Sequence, residues 1–310
     1  MNVAVFGATG FVGGYLLNEL IDNSYHPIIQ IRHGSESKIS VDKGKIHSFY
    51  GDVHDITSIN RVLENANAII YNVGIIREYK RKGITFERLH FDGLKNVVDA
   101  AKKLNIKRFI LMSANGAEIS KTGYQIFKKK AEDYLKESDL DWTIFRPSLV
   151  FGDPGNKIEF CSDLKDKLIK LPFPAPLFFR GLSVFSAGSF KMSPIHASNV
   201  AQFFIKSISM EETVSKIYEL GGKDSVDWRT IIKTIAKSMG KKRKFSIPVP
   251  AAQIQIAAYF LDSFSWFPIT RDQITMLLDG NTCDSSDYFK QFDIDPIEFS
   301  VDNLGYLSGS

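Results

Sequence analysis

Residues 2–14 read Asn2-Val3-Ala4-Val5-Phe6-Gly7-Ala8-Thr9-Gly10-Phe11-Val12-Gly13-Gly14. The apolar run Asn2–Phe6 reads as a buried strand, and Phe11–Ile21 carries apolar residues at helical spacing. Between them the glycines have separate tasks. Gly7 permits a tight turn, Gly10 lets the backbone approach a pyrophosphate, and Gly13 lets the helix pack close to the strand. Free N–H groups at the start of that helix make an anion site. Gly7, Thr9, Gly10, Phe11, Val12 and Gly13 are therefore predicted to contact a dinucleotide.

Working outward, further strand-like runs are Ile28–Ile31, Ile46–Tyr50, Ala68–Tyr71, Phe109–Met112 and Trp142–Phe145. Helical patterns at Ile56–Glu64, Phe86–Leu104 and Tyr124–Glu137 separate most of them. This rhythm predicts an α/β fold: a doubly wound parallel Rossmann sheet with right-handed crossovers. Residues 1–150 form the predicted nucleotide-binding domain. Residues 151–310 form a smaller C-terminal α/β substrate or partner lobe, with the chain returning to the sheet around 193–222. Within that lobe, Phe151–Met192 reads as loops and short helices, Lys216–Leu220 as a strand, and Asp227–Met239 as a helix capped by Asp227.

Composition excludes several classes. The 310 residues carry 39 Lys+Arg against 35 Asp+Glu, a net charge of +4, too small an excess for a nucleic-acid binder. The cysteines Cys161 and Cys283 have no metal-ligand spacing, nor do the histidines, so no metal is expected. The N-terminus lacks a signal-peptide pattern, and no run reaches the ~18–20 apolar residues of a membrane span. The expected location is the cytoplasm, or the periphery of a membrane. The unusual number is 24 phenylalanines, of which sixteen fall beyond residue 150. Phe has no polar handle, so these rings need a core or an apolar partner. Phe173, Phe178, Phe179 and Phe185, with Phe260, Phe264, Trp266 and Phe267, are candidates for an apolar mouth or a surface resting on a membrane or protein complex. The run Lys241-Lys242-Arg243-Lys244 stands near them.

The second strand-like run ends Gln30-Ile31-Arg32-His33-Gly34-Ser35. An acid at that point binds the ribose 2′-hydroxyl of NAD; here Arg32 and Ser35 suit a 2′-phosphate. NADP(H) is the predicted cofactor, with NAD(H) as the alternative.

The spacing of Gly7, Gly10 and Gly13, with Tyr124 and Lys128 on one helical face after Ser113, resembles the extended and atypical branches of the short-chain dehydrogenase/reductase superfamily. That resemblance implies catalytic roles for Ser113, Tyr124 and Lys128. It also implies cofactor contacts from Asp52 and Val53, from Asn72, Val73 and Gly74, from Lys128, and from Pro147 and Ser148. Ser113-Ala114-Asn115-Gly116-Ala117 and the segment Pro268–Leu278 narrow the similarity to atypical members like the nucleotide-binding accessory subunit of respiratory complex I. Three functions follow as expectations. The first is an NADP(H)-dependent oxidoreductase acting on a carbonyl or quinone-like apolar small molecule. The second is a non-catalytic NADPH-binding accessory or assembly protein of a respiratory complex. The third is a sugar-nucleotide epimerase or dehydratase.

Overall fold

Five parallel pairings join the strands that the apolar runs marked. The structure, a computed structural model, describes residues 1–262, 267 and 269–308, so Phe264, Trp266 and Pro268 lie outside the described residues. The strands are β1 (Asn2–Phe6), β2 (His26–Ile31), β3 (His47–Tyr50), β4 (Ala68–Tyr71), β5 (Arg108–Met112), β6 (Asp141–Pro147), β7 (Val150–Phe151), β8 (Ala175–Phe179), β9 (Lys191–Met192), β10 (Ile195–His196), β11 (Lys216–Leu220), β12 (Val226–Asp227) and β13 (Ser246–Pro250). The helices are α1 (Phe11–Asp22), α2 (Ile56–Leu63), α3 (Gly93–Lys103), α4 (Gly123–Lys136), α5 (Phe160–Leu164), α6 (Ala197–Ser207), α7 (Trp228–Ser238), α8 (Ala251–Leu261), α9 (Arg271–Asp279) and α10 (Ser286–Gln291).

The main sheet runs β11-β6-β5-β4-β1-β2-β3, the doubly wound order with its reversal between β1 and β4. The chain divides into two units. One holds Met1–Pro147, Ala197–Glu219 and Tyr288–Asp295; the other holds Ser148–His196, Leu220–Asp287 and Pro296–Ser310. The return of 288–295 to the first unit carries no sequence signal, because so short a segment has no period of its own.

The first unit's core explains part of the phenylalanine excess. Phe145 packs against Phe203, Phe204, Tyr218 and Phe292 at centroid distances of 4.7–6.2 Å. Arg108 is buried beside them. Its Nη1 donates to Asp141 O, and its Nη2 donates to Thr143 Oγ1, Ser207 O and Thr213 Oγ1. Burial pushes the Arg108 pKa down to about 10, still charged at neutral pH. One guanidinium thereby ties α6 and the segment before β11 to the sheet.

The second unit departs from the loop reading of 151–192. β8 pairs in parallel with β13 over five residues, Ala175↔Ser246 to Phe179↔Pro250. The prolines Pro176, Pro248 and Pro250 hide this strand pair, since a residue without an N–H is normally read as ending a ladder. The Asp227 cap is as expected: its side chain accepts from Thr230 N at the start of α7. Trp228, Phe151, Ile231 and Ile235 lie in this unit's core with Cys161 and Ile169. The Phe-rich stretch is divided: Phe178 and Phe179 are buried, whereas Phe173 and Phe185 are exposed.

Candidate functional site

The glycine loop is as tight as its sequence requires. Gly7 has φ +90°, and a Cβ there would stand 2.6 Å from Asn72 O. A Cβ on Gly13 would stand 2.3 Å from Gly7 O. Helix α1 begins at the N-cap Gly10, whose lack of a side chain leaves no capping bond, and no acid sits in the first turn. That end presents backbone N–H groups without competing negative charge, so Gly7, Gly10, Phe11, Val12 and Gly13 fit a dinucleotide's phosphates. Thr9 lies half-buried in the same loop.

At the end of β2, Arg32 is exposed and its carbonyl accepts from Ser35 N, closing a turn through Gly34. Ser35 is buried. Glu36 turns back onto Gly34 N at 3.3 Å. Its pKa is lowered by backbone hydrogen bonds and by a bond from Tyr50. Asp52 accepts from His54 N at 2.7 Å in a turn of its own, while Val53 is buried and its carbonyl accepts from Asn96.

The structure brings Lys128, Gly74 and the end of β5 together. Lys128 is buried in α4, and its Nζ donates to Met112 O at 2.8 Å. The Cβ position of Gly74 is 3.5 Å from Lys128 Nζ and 3.5 Å from His90 Nε2. Asn72 and Val73 are half-buried in the same β4 loop. The start of α4 is fixed by a capping box in which Thr122 and Gln125 bond each other's backbone. Tyr124 follows in the first turn, its ring edge-on to Phe86 at 5.6 Å and to His90 at 5.2 Å. Burial pushes the Tyr124 pKa up to about 12. Burial pushes the Lys128 pKa down to about 8, against the opposing pull of Glu132.

His90 is the residue that sequence reading missed. It lies on a π-helical turn, Glu87–Asp92, within the stretch predicted as one regular helix from Phe86. Such a bulge rotates one side chain out of the helical pattern. His90 Nε2 accepts from Ile75 N at 3.1 Å, so the ring proton is assigned to Nδ1. Burial and the Lys128 charge hold its pKa well below the usual histidine value. A neutral ring therefore spans the β4 loop and Tyr124.

Ser113 directly follows β5. It is buried, and its hydroxyl donates to Glu132 at 2.5 Å. Glu132 also receives Arg146 Nε at 2.9 Å and Nη2 at 2.6 Å. In this arrangement the Ser113 proton is directed at Glu132. Pro147 is buried at the end of β6, and its carbonyl accepts from Asn115 N at 2.9 Å. Ser148 begins the second unit, where its hydroxyl donates to Asn281 O at 2.6 Å. No metal-binding group of three or more His, Cys, Asp or Glu occurs among the described residues. No described helix is long and apolar enough to cross a membrane.

Burying Lys128 has a stability consequence. Its folded pKa of about 8 lies below the ordinary 10.5, so folding below pH ~8 carries the full penalty of the charge. That penalty, ~3 kcal/mol, fades as pH rises from about 8 to 10.5. Loss of the bond to Met112 offsets ~1 kcal/mol of any relief. Lys128→Met is thus expected to stabilise the cofactor-free protein by about 2 kcal/mol at pH 7 and not at all above pH ~10.5. Urea unfolding at both pH values checks this, and equal effects at both would contradict the burial argument.

Residues 7–168 match the model of a family described as NAD(P)H-binding, and the chain belongs to this family. The mitochondrial 40 kDa subunit of NADH-ubiquinone oxidoreductase from Neurospora crassa is 25% identical over 309 residues, covering 98% of this chain and 78% of that one. Ceramide reductase from Caulobacter vibrioides is 28% identical over 267 residues, covering 85% of this chain and 78% of that one. The solved UDP-glucose 4-epimerase of Thermus thermophilus, in complex with NAD, matches across 100% of both chains with a TM-score of 0.74 at 15% identity. This last likeness is one of fold.

Proposed function

We propose that this member of the NAD(P)H-binding family is an NADP(H)-dependent reductase of a carbonyl or quinone-like group on an apolar small molecule. The observation that supports the reading is Lys128 bonded to Met112 O and beside Gly74, with Tyr124 against His90, in a glycine-loop nucleotide fold. A bound nicotinamide supplies hydride. The protein's part is to hold the nucleotide on the α1 N-terminus and to manage the proton. Tyr124, protonated at neutral pH, gives its Oη proton to the oxygen formed as the carbonyl is reduced. The Lys128 ammonium lowers the cost of the resulting phenolate. His90 keeps the Tyr124 ring and the Ile75 backbone in register. The relative named ceramide reductase supports reduction of an apolar substrate.

Tyr124→Phe is expected to abolish NADPH oxidation by a quinone or aliphatic ketone acceptor while leaving NADPH affinity within a few-fold. Turnover that survives in this variant would overturn the assignment. Arg32→Ala is expected to weaken NADPH about tenfold or more, the worth of one charge-assisted bond, and to leave NADH unchanged. Titration of both nucleotides into both proteins decides this, and equal losses would remove the 2′-phosphate role.

A second reading is favoured by one observation: the relative covering 98% of this chain is a subunit of a respiratory complex. In that reading the protein is an NADPH-holding accessory or assembly protein, and the nucleotide stabilises the fold by mass action. It predicts NADPH retained through purification, no turnover, and indifference to Tyr124→Phe. A sugar-nucleotide epimerase has support only from the fold.

A further inference from the structure

We propose that residues 170–173 and 241–245, in the second unit, form a docking surface for an anionic lipid bilayer. Phe173 and Phe245 enter the interface, and Lys242 and Arg243 meet the headgroups. Hydrogen bonds bring the two segments together although they are distant in sequence. Ala175 N donates to Phe245 O at 2.8 Å. Lys244 Nζ donates to Leu171 O at 2.5 Å, and Lys241 Nζ donates to Ile169 O at 2.9 Å. Lys241 and Lys244 thus serve as ties that hold one turn against the other, where the preceding helical carbonyls end.

What the ties leave on the surface is two aromatic rings and two cations. Phe173 is 69% exposed and Phe245 68% exposed, with Leu171 44% exposed in the same segment as Phe173. Contact of this ring surface with water is unfavourable, and burial against an apolar phase removes it. Lys242 and Arg243 are exposed and form no ion pair among the described residues. The carboxylates that precede the 170–173 segment are matched: Asp163 pairs with Lys167 at 2.7 Å and Asp166 with Lys170 at 3.0 Å. The patch therefore joins protruding apolar rings to unneutralised positive charge, the combination that anionic lipid recognises. Rings standing this far out bury against an incoming plane without needing a matching pocket, which favours a bilayer over a folded protein. None of this depends on the nucleotide site, and its test reads no turnover.

The test is co-sedimentation of the whole protein with vesicles of phosphatidylcholine alone and of phosphatidylcholine with phosphatidylglycerol. Binding is expected only to the mixed vesicles and is expected to fall as salt rises. Lys242→Ala with Arg243→Ala is expected to weaken the partition about 30-fold, roughly fivefold for each charge. Phe173→Ser with Phe245→Ser is expected to abolish it. All four side chains are solvent-exposed, and unchanged melting and NADPH affinity serve as the folding control. Equal binding to both vesicle types, no binding to either, or variants that bind like the parent would each overturn the proposal. So would a solution dimer dissolved by the Phe173→Ser, Phe245→Ser pair, which assigns the patch to a second copy of the chain.

Discussion

Glu132→Ala is expected to destabilise the protein by about 3–5 kcal/mol, more than any surface substitution. Glu132 is fully buried and accepts from Ser113 and twice from Arg146. The Arg146 side chain is only 6% exposed. Burial works against its charge, but the bonds and charges of Glu132 and Glu118 more than offset this and raise its pKa. Removing Glu132 leaves that guanidinium with Glu118 at 2.6 Å and Glu219 at 3.4 Å, both on the solvent side. Exposed carboxylates are weak substitutes, so they offset little of that cost. The stronger test is the double replacement Glu132→Leu with Arg146→Met. An apolar pair of similar volume removes both desolvated charges, and the double variant is expected to be more stable than either single one. Urea unfolding of the four proteins measures the coupling. Additive costs would mean that the two side chains do not act as a pair. The same network fixes Ser113, so Glu132→Ala also frees that hydroxyl to rotate.

The sheet was legible because buried parallel strands are short apolar runs and their crossovers have a different period. Each run from Asn2–Phe6 to Trp142–Phe145 lies within an observed strand or starts one residue outside it. The glycine loop was legible for a steric reason: the backbone approaches at Gly7 and Gly13 admit no other residue type. Tyr124 and Lys128 were readable as one helical face. The partner of Ser113 was not, because its neighbours in the chain give no hint that Glu132, from another element, accepts its hydroxyl proton. His90 was hidden by a local π-turn, which breaks the 3.6-residue spacing on which helix reading depends.

The phenylalanines show how a composition argument changes once packing is known. Phe203, Phe204, Phe289 and Phe292 come from beyond residue 150 but pack in the first unit, around Phe145 and Tyr218. Phe151 lies in the core of the second unit, with Phe160, Phe190 and Phe299 packed against that core. Much of the excess is thus a second-half contribution to two cores, not a substrate mouth. The rings that still need a partner include Phe173 and Phe245, which share their surface with cations.

Gly7→Ala is expected to weaken NADPH binding at least about 100-fold, a differential near 3 kcal/mol. Two effects act together. The backbone at φ +90° disfavours any side chain, a strain of order 1–3 kcal/mol. The new methyl also stands 2.6 Å from Asn72 O, 2.7 Å from Asn72 C and 2.9 Å from Val73 N. These are backbone atoms, so no rotamer change relieves the overlap. Asn72 N donates to Phe6 O at 2.9 Å, the last rung between β1 and β4. Pushing that rung apart moves the glycine loop away from Asn72-Val73-Gly74, and Gly74 stands beside Lys128. One methyl group therefore disturbs the phosphate cradle and the ammonium side of the site together. Gly240→Ala supplies the comparison, since Gly240 has φ +73° with nothing within 4 Å of the added Cβ. It carries the conformational strain without the overlap, and its NADPH affinity is expected to match the parent. Fluorescence titration of NADPH into the three proteins, with melting curves alongside, separates the effects. A Gly7→Ala protein that binds within about threefold of the parent would show that the two loops do not jointly form the nucleotide site.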